Sequence, residues 1–196
     1  RDESESRGLG DVYKRQNGYS AMGGQTLHPY GRKILDTGGS SSGSGVSTTS
    51  NLAAASLGSE TSGSILSPSS ANSLVGMKPT IGNVSRAGIV PISSTLDTAG
   101  PMTKFVIDNI LIYNAINDFD PLDDYSVENY DIRIKEVVEN KLEEYTIGYY
   151  KSFYERDSLY KNAIDFLIED GVKLQPIDAP QIRLEGFAKI LDEDMR

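Results

Sequence analysis

Two glycine- and serine-rich stretches carry the residue types that nucleophilic catalysis requires. Residues 38–44 read GGSSSGS and residues 58–64 read GSETSGS, with Ser40 in the first stretch and Ser64 in the second. A serine hydroxyl is a weak nucleophile at neutral pH, so it needs a base that accepts its proton and N–H donors that hold the oxyanion. A glycine beside the serine lets the backbone turn tightly and present successive N–H groups to one point.

The second stretch therefore fits a nucleophile in a tight turn. Ser64 would attack a carbonyl carbon. Four backbone N–H groups would line the oxyanion hole: those of Thr61, Ser62, Gly63 and Ser64. Spacing by itself only suggests this chemistry, because turns of glycine and serine are common. Glu60 lies just before the turn, and we expect it to cap a helix or a loop rather than to take part in catalysis.

Three other interpretations of these stretches compete with the first. Residues 39–43 match the G-x-S-x-G pattern of a nucleophile elbow, but that site needs a histidine after the serine, and the single histidine, His28, precedes it. A glycine-rich turn that opens a helix could bind phosphate, although this one lacks the GK[ST] ending of a P-loop. A flexible linker is disfavoured because apolar residues and Pro/Gly signals resume at once.

Composition excludes several other kinds of chemistry. The 196 residues include no cysteine and one histidine, which excludes a disulfide framework, a thiol nucleophile and a multi-histidine metal site within this chain. The hydrophobic fraction of 38% is typical of a globular protein, and no apolar run reaches the ~20 residues of a membrane span. The formal net charge is −9 without a basic patch, so we expect no nucleic-acid partner.

Both ends of the chain are interpreted as cut. Residues 1–16 are predicted to be non-native, because SRGLGDVYKRQ at residues 6–16 resembles the translation of a transposase-based sequencing adapter. Residues 181–191 have a helical pattern without a stop signal. We therefore expect an internal fragment of a longer protein, whose natural sequence begins at Asn17.

The elements that position the serines are predicted from periodicity and from Gly and Pro signals. Helices are expected from the turn at 38–45 through Ser56, from about 105 to 118 with Thr103 as N-cap, and over 160–168 with Gly171 at C′. Strands are expected at 56–60, 145–150 and 172–177, whereas 17–30 is expected to be loop and 67–101 mostly loop with short strands. This alternation predicts an α/β fold, a mixed β-sheet covered by α-helices.

Side chains outside the serine stretches are expected to have structural roles. His28 is expected to be exposed in its loop, with a place at a substrate entrance as the alternative. The acidic segment 118–124 is expected to be a solvated connection rather than a Ca²⁺ loop. Five tyrosines are expected to be half-buried packing residues: those at 145, 149, 150, 154 and 160.

The run from Gly38 to Thr80 resembles the amidase signature family. The family's hallmark is GGSS[GS]G, then G-[ST]-[DE]-x-x-G-S-I, then V-G-x-K-P-T, in the order found here. Further matches lie at residues 17–20, 23–26, 84–86, 88, 91, 97 and 100–102. The resemblance is strong over residues 17–121, the expected catalytic core of an amidase signature domain, and weak over 122–196, the expected peripheral α/β part.

The resemblance implies a Ser–Ser–Lys triad that needs no metal or organic cofactor. Ser64 matches the acyl-forming nucleophile. Ser40 matches the bridging serine, which relays protons and adjoins a non-proline cis peptide bond in the family. Ser41 matches a neighbouring serine that supports this network.

The third member of the triad is a lysine, and it has no counterpart in this chain. The resemblance places it well before the GGSS stretch, on sequence that is not contained here. Lys33 lies too close to Ser40, and Lys78 matches the lysine of the K-P-T motif, which is structural. The chain departs from the family pattern at Ser62, where many members have glycine, and at Leu66, where many have arginine.

The resemblance therefore implies a serine hydrolase that cleaves the C–N bond of linear carboxamides, either small molecules or peptides. This fragment is expected to be inactive alone. Two alternatives stay open: the amidase subunit of a tRNA-dependent amidotransferase, and a non-catalytic binding protein with the same fold. Residues 92–93 and 97–102 favour the free-standing amidases. A homodimer and a cytoplasmic location are further expectations.

Overall fold

The computed structural model describes residues 18–139 and 141–178, which belong to two compact units. The first unit contains both serine stretches and continues to Ile132, and the second begins at Arg133. The adapter-like residues 1–16 and the predicted helix at 181–191 lie outside the described residues. The proposed division at residue 121 between core and peripheral part also stays a prediction.

A short hairpin is the first element in the described part of the first unit, in a segment for which the sequence predicts loop. Strand β1 (Tyr19–Ser20) pairs antiparallel with β2 (Gly24–Gln25). The N–H of Thr26 donates to the carbonyl oxygen of Gly18 at 2.8 Å and extends this pairing by one further bond. The hairpin was not predicted because strands of two residues carry no readable alternation.

The first unit is built around a three-stranded antiparallel sheet. Its strands are β3 (Ser56–Glu60), β4 (Val75–Gly76) and β5 (Thr98–Thr103), in the spatial order β3-β5-β4. All six residues of β5 are buried, as expected of a central strand. The strand predicted at 56–60 is confirmed, and β4 is one of the short strands expected within 67–101.

Among the described residues, three helices accompany this sheet: α1 (Ser42–Thr49), α2 (Leu66–Ala71) and α3 (Val106–Ile116). Helix α1 ends at Thr49, so the prediction that it continues through Ser56 is wrong. The N–H groups of Leu52 and Ala53 both donate to the carbonyl oxygen of Ser47, and Asn51 adopts a φ of 60°. The chain therefore turns back after the helix and enters β3.

Helix α2 lies at the start of the segment for which recurrent Gly and Pro residues predict mostly loop, and it contains Pro68. Proline is compatible with the first turn of a helix, where the N–H has no acceptor within the helix. The start of the helix is instead stabilised by a residue that precedes it in the chain. One carboxylate oxygen of Glu60 accepts the N–H groups of Ile65 and Leu66 at 2.7 and 2.9 Å.

The helix predicted after Thr103 is confirmed, but its N-cap is Phe105. Strand β5 extends through Thr103, whose hydroxyl donates to the carbonyl oxygen of Phe105 at 2.9 Å. Tyr113 of α3 packs with Val84 and Ala99 in the apolar core of the first unit. This small core lies among many buried polar side chains, so hydrogen bonds contribute much of what holds the first unit together.

The second unit contains a parallel pair of strands, β6 (Thr146–Tyr150) and β7 (Lys173–Ile177). Its helices are α4 (Ile134–Glu139), a 3₁₀ turn (Leu142–Glu144), α5 (Lys151–Arg156) and α6 (Ser158–Glu169). The two strands and helix α6 were predicted, and Gly171 has the positive φ, 83°, expected just beyond a helix end. Of the five tyrosines, four are half-buried as expected, and Tyr145 is exposed.

These elements confirm the predicted α/β class, with antiparallel and parallel strands and accompanying helices. Within residues 18–139 and 141–178, every helix is too short or too polar to cross a bilayer.

The acidic segment 118–124 is more than the solvated connection that we expect from its sequence. The guanidinium of Arg86 pairs with the carboxylate of Asp123 at 3.0 Å, and their side chains are only 13% and 6% exposed. The same carboxylate accepts the backbone N–H of Arg86 at 2.9 Å. The hydrogen bonds from Arg86 hold the pKa of Asp123 well below its usual range, although burial opposes this shift.

We predict that Asp123→Asn lowers the free energy of unfolding by about 3 kcal/mol at neutral pH, because it leaves the buried guanidinium of Arg86 without its counter-ion. The folded pKa of Asp123 is depressed, so its contribution is present above the unfolded pKa of about 3.9 and is lost as pH falls below it. Urea unfolding followed by circular dichroism between pH 7 and pH 3 measures both effects.

The matched control is Asp124→Asn, which removes the same charge from the adjacent, exposed residue. Its expected effect stays within about 0.5 kcal/mol. If the loss caused by Asp123→Asn did not shrink on acidification, the ion pair would not be its cause.

Candidate active site

The fold brings the two serine stretches together. The segment 37–41 leads into helix α1, and the turn 61–64 connects β3 to helix α2. The N–H of Ser41 donates to the carbonyl oxygen of Ser64 at 3.1 Å. The peptide that links Ser40 to Ser41 therefore lies directly against the backbone of Ser64.

The backbone around Ser40 has the unusual feature that the resemblance implies. The peptide bond between Gly39 and Ser40 is cis. Ser40 is exposed, whereas Ser64 is half-buried. Just before them, the N–H of Gly38 donates to a carboxylate oxygen of Asp36 at 2.8 Å, which holds the entry to this segment.

Ser41 attaches the same segment to strand β3. Its hydroxyl donates to the carbonyl oxygen of Ser59 at 3.2 Å and accepts the N–H of Ser59 at 3.2 Å. One side chain thus satisfies both backbone groups of a strand residue that has no other role in the predicted site. This geometry suits the supporting part expected of Ser41.

The turn 61–64 contains backbone N–H groups that are available to a ligand. Within the part of the chain that the structure describes, the N–H groups of Ser62, Gly63 and Ser64 donate to no protein atom. Gly63 has a φ of 94°, a conformation that favours glycine. Its carbonyl oxygen accepts the N–H of Ser67 at 2.7 Å, which ties the turn to the start of α2.

Glu60 stabilises the C-terminal end of this turn. Its side chain is only 3% exposed. Because its carboxylate accepts the N–H groups of Ile65 and Leu66, it fixes the residues that directly follow Ser64. The capping role expected from the sequence is confirmed. A charge-assisted hydrogen bond of this kind also complements the helix dipole.

Asp97 stabilises the N-terminal end of the turn. The sequence assigned this residue no role beyond a match to the family pattern. The hydroxyl of Thr61 donates to one of its carboxylate oxygens. The other oxygen accepts the N–H groups of Ile92 and Ser93 at 2.7 and 2.9 Å. No local pattern reveals this role, because Thr61 and Asp97 are far apart in sequence.

Asn72 caps the end of helix α2 and binds the segment before Ser40. It is fully buried, and its amide group donates to the carbonyl oxygens of Thr37 and Pro68 at 2.8 Å each. Its backbone carbonyl oxygen accepts the hydroxyl of Thr49 at 2.9 Å. One residue thereby connects the segment before Ser40, helix α1 and helix α2. No sequence pattern indicated this role, since a lone asparagine within a predicted loop is typical of a turn.

His28 is buried, so the expectation that it is exposed is wrong. Only 3% of its surface is accessible. Its Nε2 lies 2.8 Å from the carbonyl oxygen of Ala71, and its Nδ1 accepts the N–H of Tyr30 at 3.2 Å. The ring therefore attaches the segment after the hairpin to the end of helix α2.

A pocket of about 280 Å³ is lined in part by Asp97. Apolar side chains that include Ile89, Pro91 and Leu122 form part of its wall, together with Arg86 and Tyr125. The guanidinium carbon of Arg86 lies 4.5 Å from the centre of the Tyr125 ring. Among the described residues, no cluster of three or more His, Cys, Asp and Glu side chains is placed to hold a metal ion.

Comparisons with known proteins identify the family of this chain. A family model described as "Amidase" matches residues 13–186, and thus begins inside the segment predicted to be non-native. A probable amidase of Arabidopsis thaliana is 52% identical over 110 residues, which cover 55% of this chain and 21% of that protein. A glutamyl-tRNA(Gln) amidotransferase subunit of Neisseria meningitidis is 37% identical over 153 residues, or 75% of this chain and 32% of that protein.

A solved structure shows the same fold. The native peptide amidase from Stenotrophomonas maltophilia has a TM-score of 0.75 and 34% sequence identity, over 90% of this chain and 37% of that chain. The chain spans between about a fifth and two fifths of the length of these three relatives.

We predict that Gly38→Ala destabilises the fold by about 2–4 kcal/mol. Gly38 has a φ of 64°, and a Cβ there would lie 2.7 Å from backbone atoms of Ser67 and Pro68. The added methyl group would push the segment before Ser40 away from helix α2. Thermal unfolding followed by circular dichroism gives the size of the loss.

Gly43→Ala is the matched control, because Gly43 lies in α1, is exposed, and has open space around its Cβ position. Alanine is the better helix former, so this variant should gain up to about 1 kcal/mol. Equal unfolding temperatures for the two variants would show that the close approach of Gly38 to α2 does not exist in solution.

Proposed function

Because this chain belongs to the amidase family, as the resemblance predicted, we propose that the protein hydrolyses carboxamides with Ser64 as its nucleophile. One contact carries this proposal. The hydrogen bond from Ser41 N–H to the carbonyl oxygen of Ser64 brings the two serine stretches side by side, next to a turn whose N–H groups are free of protein acceptors among the described residues.

The proposed reaction begins with attack of the Ser64 hydroxyl oxygen on the carbonyl carbon of the amide. The hydroxyl proton passes to the oxygen of Ser40, which releases its own proton to a base. The carbonyl oxygen becomes an oxyanion, and the N–H groups of the turn 61–64 stabilise it. Collapse of this intermediate breaks the C–N bond, and the leaving nitrogen takes up a proton to depart as ammonia or an amine.

The second half of the proposed reaction repeats the first with water. A water molecule gives up a proton through Ser40 and attacks the ester carbon of the acyl-enzyme. The oxyanion forms again in the same place, and its collapse releases a carboxylic acid and restores the Ser64 hydroxyl. One set of N–H groups thus serves both steps of the acyl-enzyme mechanism.

The base in this proposal is a lysine outside the 196 residues. It must be neutral to accept a proton, and burial lowers the pKa of a lysine in the required direction. We therefore propose that the isolated chain does not turn over, although it holds the nucleophile, the relay serine and the oxyanion turn.

The substrate class proposed is a linear carboxamide, either a small molecule or a peptide. Support comes from the peptide amidase that shares the fold and from the probable plant amidase with the higher sequence identity. Leu66 lies two residues after Ser64 and is exposed. An apolar side chain at this position favours an uncharged substrate group nearby, in place of the anionic group that an arginine would attract.

A second candidate function is that of an amidase subunit within a tRNA-dependent amidotransferase. The observation that favours it is the match to the glutamyl-tRNA(Gln) amidotransferase, which covers more of this chain than the match to the plant amidase does. The two functions are separated by purification of the protein from its source. Isolation with partner subunits would support the amidotransferase, whereas isolation alone with amidase activity would support the free-standing enzyme.

We predict that Ser64→Ala lowers kcat for amide hydrolysis by a factor of about 10⁴ or more in the protein expressed from its complete reading frame. Ser40→Ala should lower kcat by about 10²–10⁴, because it removes the proton relay and leaves the nucleophile. Ammonia release from a set of linear carboxamides measures both effects. A fluorophosphonate probe should label the wild-type protein and not the Ser64→Ala variant.

Ser70→Ala is the matched control, because Ser70 is an exposed serine of helix α2. It should leave both turnover and labelling unchanged. Full turnover by Ser64→Ala would exclude Ser64 as the nucleophile, and absence of both turnover and labelling in the wild-type protein would favour a non-catalytic binding protein.

A further inference from the structure

We infer that Asp97 is a positioning residue that sets the backbone of the turn 61–64 through the hydroxyl of Thr61, and thereby sets the oxyanion hole. This inference rests on the proposed function. Asp97 touches neither of the two predicted catalytic serines in the described structure. Its influence on the reaction would pass through Thr61, the first residue of the turn.

The sheet register places Asp97 and Thr61 opposite each other. The last pair of the β3–β5 ladder is Glu60 with Thr98. One step further along both chains, Thr61 faces Asp97, and their side chains meet in a hydrogen bond. The bond therefore continues the sheet across the point where β3 ends and the turn begins.

Asp97 is itself held rigidly. Only 8% of its surface is accessible, and its second carboxylate oxygen accepts the N–H groups of Ile92 and Ser93. Its own N–H donates to the carbonyl oxygen of Ser93 at 3.1 Å. The carboxylate thus closes a loop onto the start of β5 and cannot follow a movement of Thr61 without breaking these bonds. Because the buried carboxylate of Asp97 has this many hydrogen-bond partners, it can hold Thr61 in one position.

The turn is then fixed by one carboxylate at each end. Asp97 holds Thr61 at the start, and Glu60 holds Ile65 and Leu66 just beyond Ser64. The N–H groups between these two points are the ones without protein acceptors among residues 18–139 and 141–178. Oxyanion stabilisation depends on donors that are already in place before the charge develops. Because the two carboxylates bind groups at the ends of the turn, the turn is preorganised while the N–H groups between its ends stay available to the oxyanion.

The position of the charge argues against a direct catalytic role for Asp97. A carboxylate in contact with an oxyanion would raise the energy of the transition state, because like charges repel strongly in a buried site. One carboxylate oxygen instead accepts the Thr61 hydroxyl, and the other accepts two N–H groups. All three contacts of the Asp97 carboxylate therefore stabilise the backbone next to the turn, which is a positioning role.

The decisive experiment compares Thr61→Val with Thr61→Ser in the full-length enzyme. Valine keeps the size of threonine and loses the hydroxyl, so Thr61→Val should lower kcat roughly tenfold to hundredfold with little change in KM. Serine keeps the hydroxyl, so Thr61→Ser should restore most of the loss. Thr80→Val, at an exposed threonine outside the site, is the control for the substitution itself.

A second variant tests the coupling between the two residues. Asp97→Asn can still accept the N–H groups of Ile92 and Ser93 with its carbonyl oxygen, while its amide group faces Thr61. If the two residues act as one unit, the double variant Thr61→Val/Asp97→Asn should lose no more activity than the more impaired single variant. Circular dichroism and unfolding temperature, measured on each variant, identify any loss that comes from unfolding.

The outcomes separate this inference from the proposed function. If Ser64→Ala abolishes turnover and Thr61→Val keeps wild-type kcat, the positioning role is wrong and the proposed function stands. A loss in Thr61→Val that Thr61→Ser does not restore also overturns the positioning role, and so do additive losses in the double variant. If Ser64→Ala leaves turnover unchanged, the proposed function is wrong, and the positioning role that rests on it is wrong as well.

Discussion

The hydrogen bond between the N–H of Ser41 and the carbonyl oxygen of Ser64 is the interaction on which the site depends. It joins the segment that opens helix α1 to the turn that opens helix α2. Both segments are rich in glycine and serine, so neither has apolar side chains that would hold it in place. Backbone-to-backbone contact is therefore the means by which two such segments can approach this closely, and small side chains are what permit the approach.

Buried polar side chains surround this contact and take the place of a large apolar core. Asn72 binds the segment before Ser40, Glu60 binds the N–H groups just after the turn 61–64, and His28 contacts the end of helix α2. Each makes hydrogen bonds to backbone groups outside its own element. Another arrangement of the chain would leave the polar groups of these hydrogen bonds unpaired in a dry interior, so the bonds favour the arrangement that is seen. Such a scaffold suits a site whose N–H donors must be in place before the reaction.

The sequence predicted the elements whose pattern is local. Strand 56–60, helix α3 and helix α6 follow from alternation, periodicity and capping residues that lie within or next to each element. Helix α2 was missed because the carboxylate that stabilises its start belongs to Glu60, outside the helix. Helix α1 was predicted too long, because the residues that end it carry no strong stop signal. The burial of His28 could not be predicted, since its partner, Ala71, is distant in sequence.

The sequence by itself determined the chemistry that the chain can supply: hydroxyl groups at Ser40 and Ser64, glycines that free the backbone around them, and no thiol. It also determined the family, because short family motifs follow one another in the expected order along residues 38–80. The resemblance implied that Ser40 and Ser64 act together, and the tertiary structure decided which groups hold their stretches: the N–H of Ser41 on the carbonyl oxygen of Ser64, the carboxylates of Asp97 and Glu60, and the amide of Asn72. The physical reason is that these contacts are hydrogen bonds between groups distant in sequence or aimed at backbone atoms. Neither kind leaves a periodic pattern in the sequence.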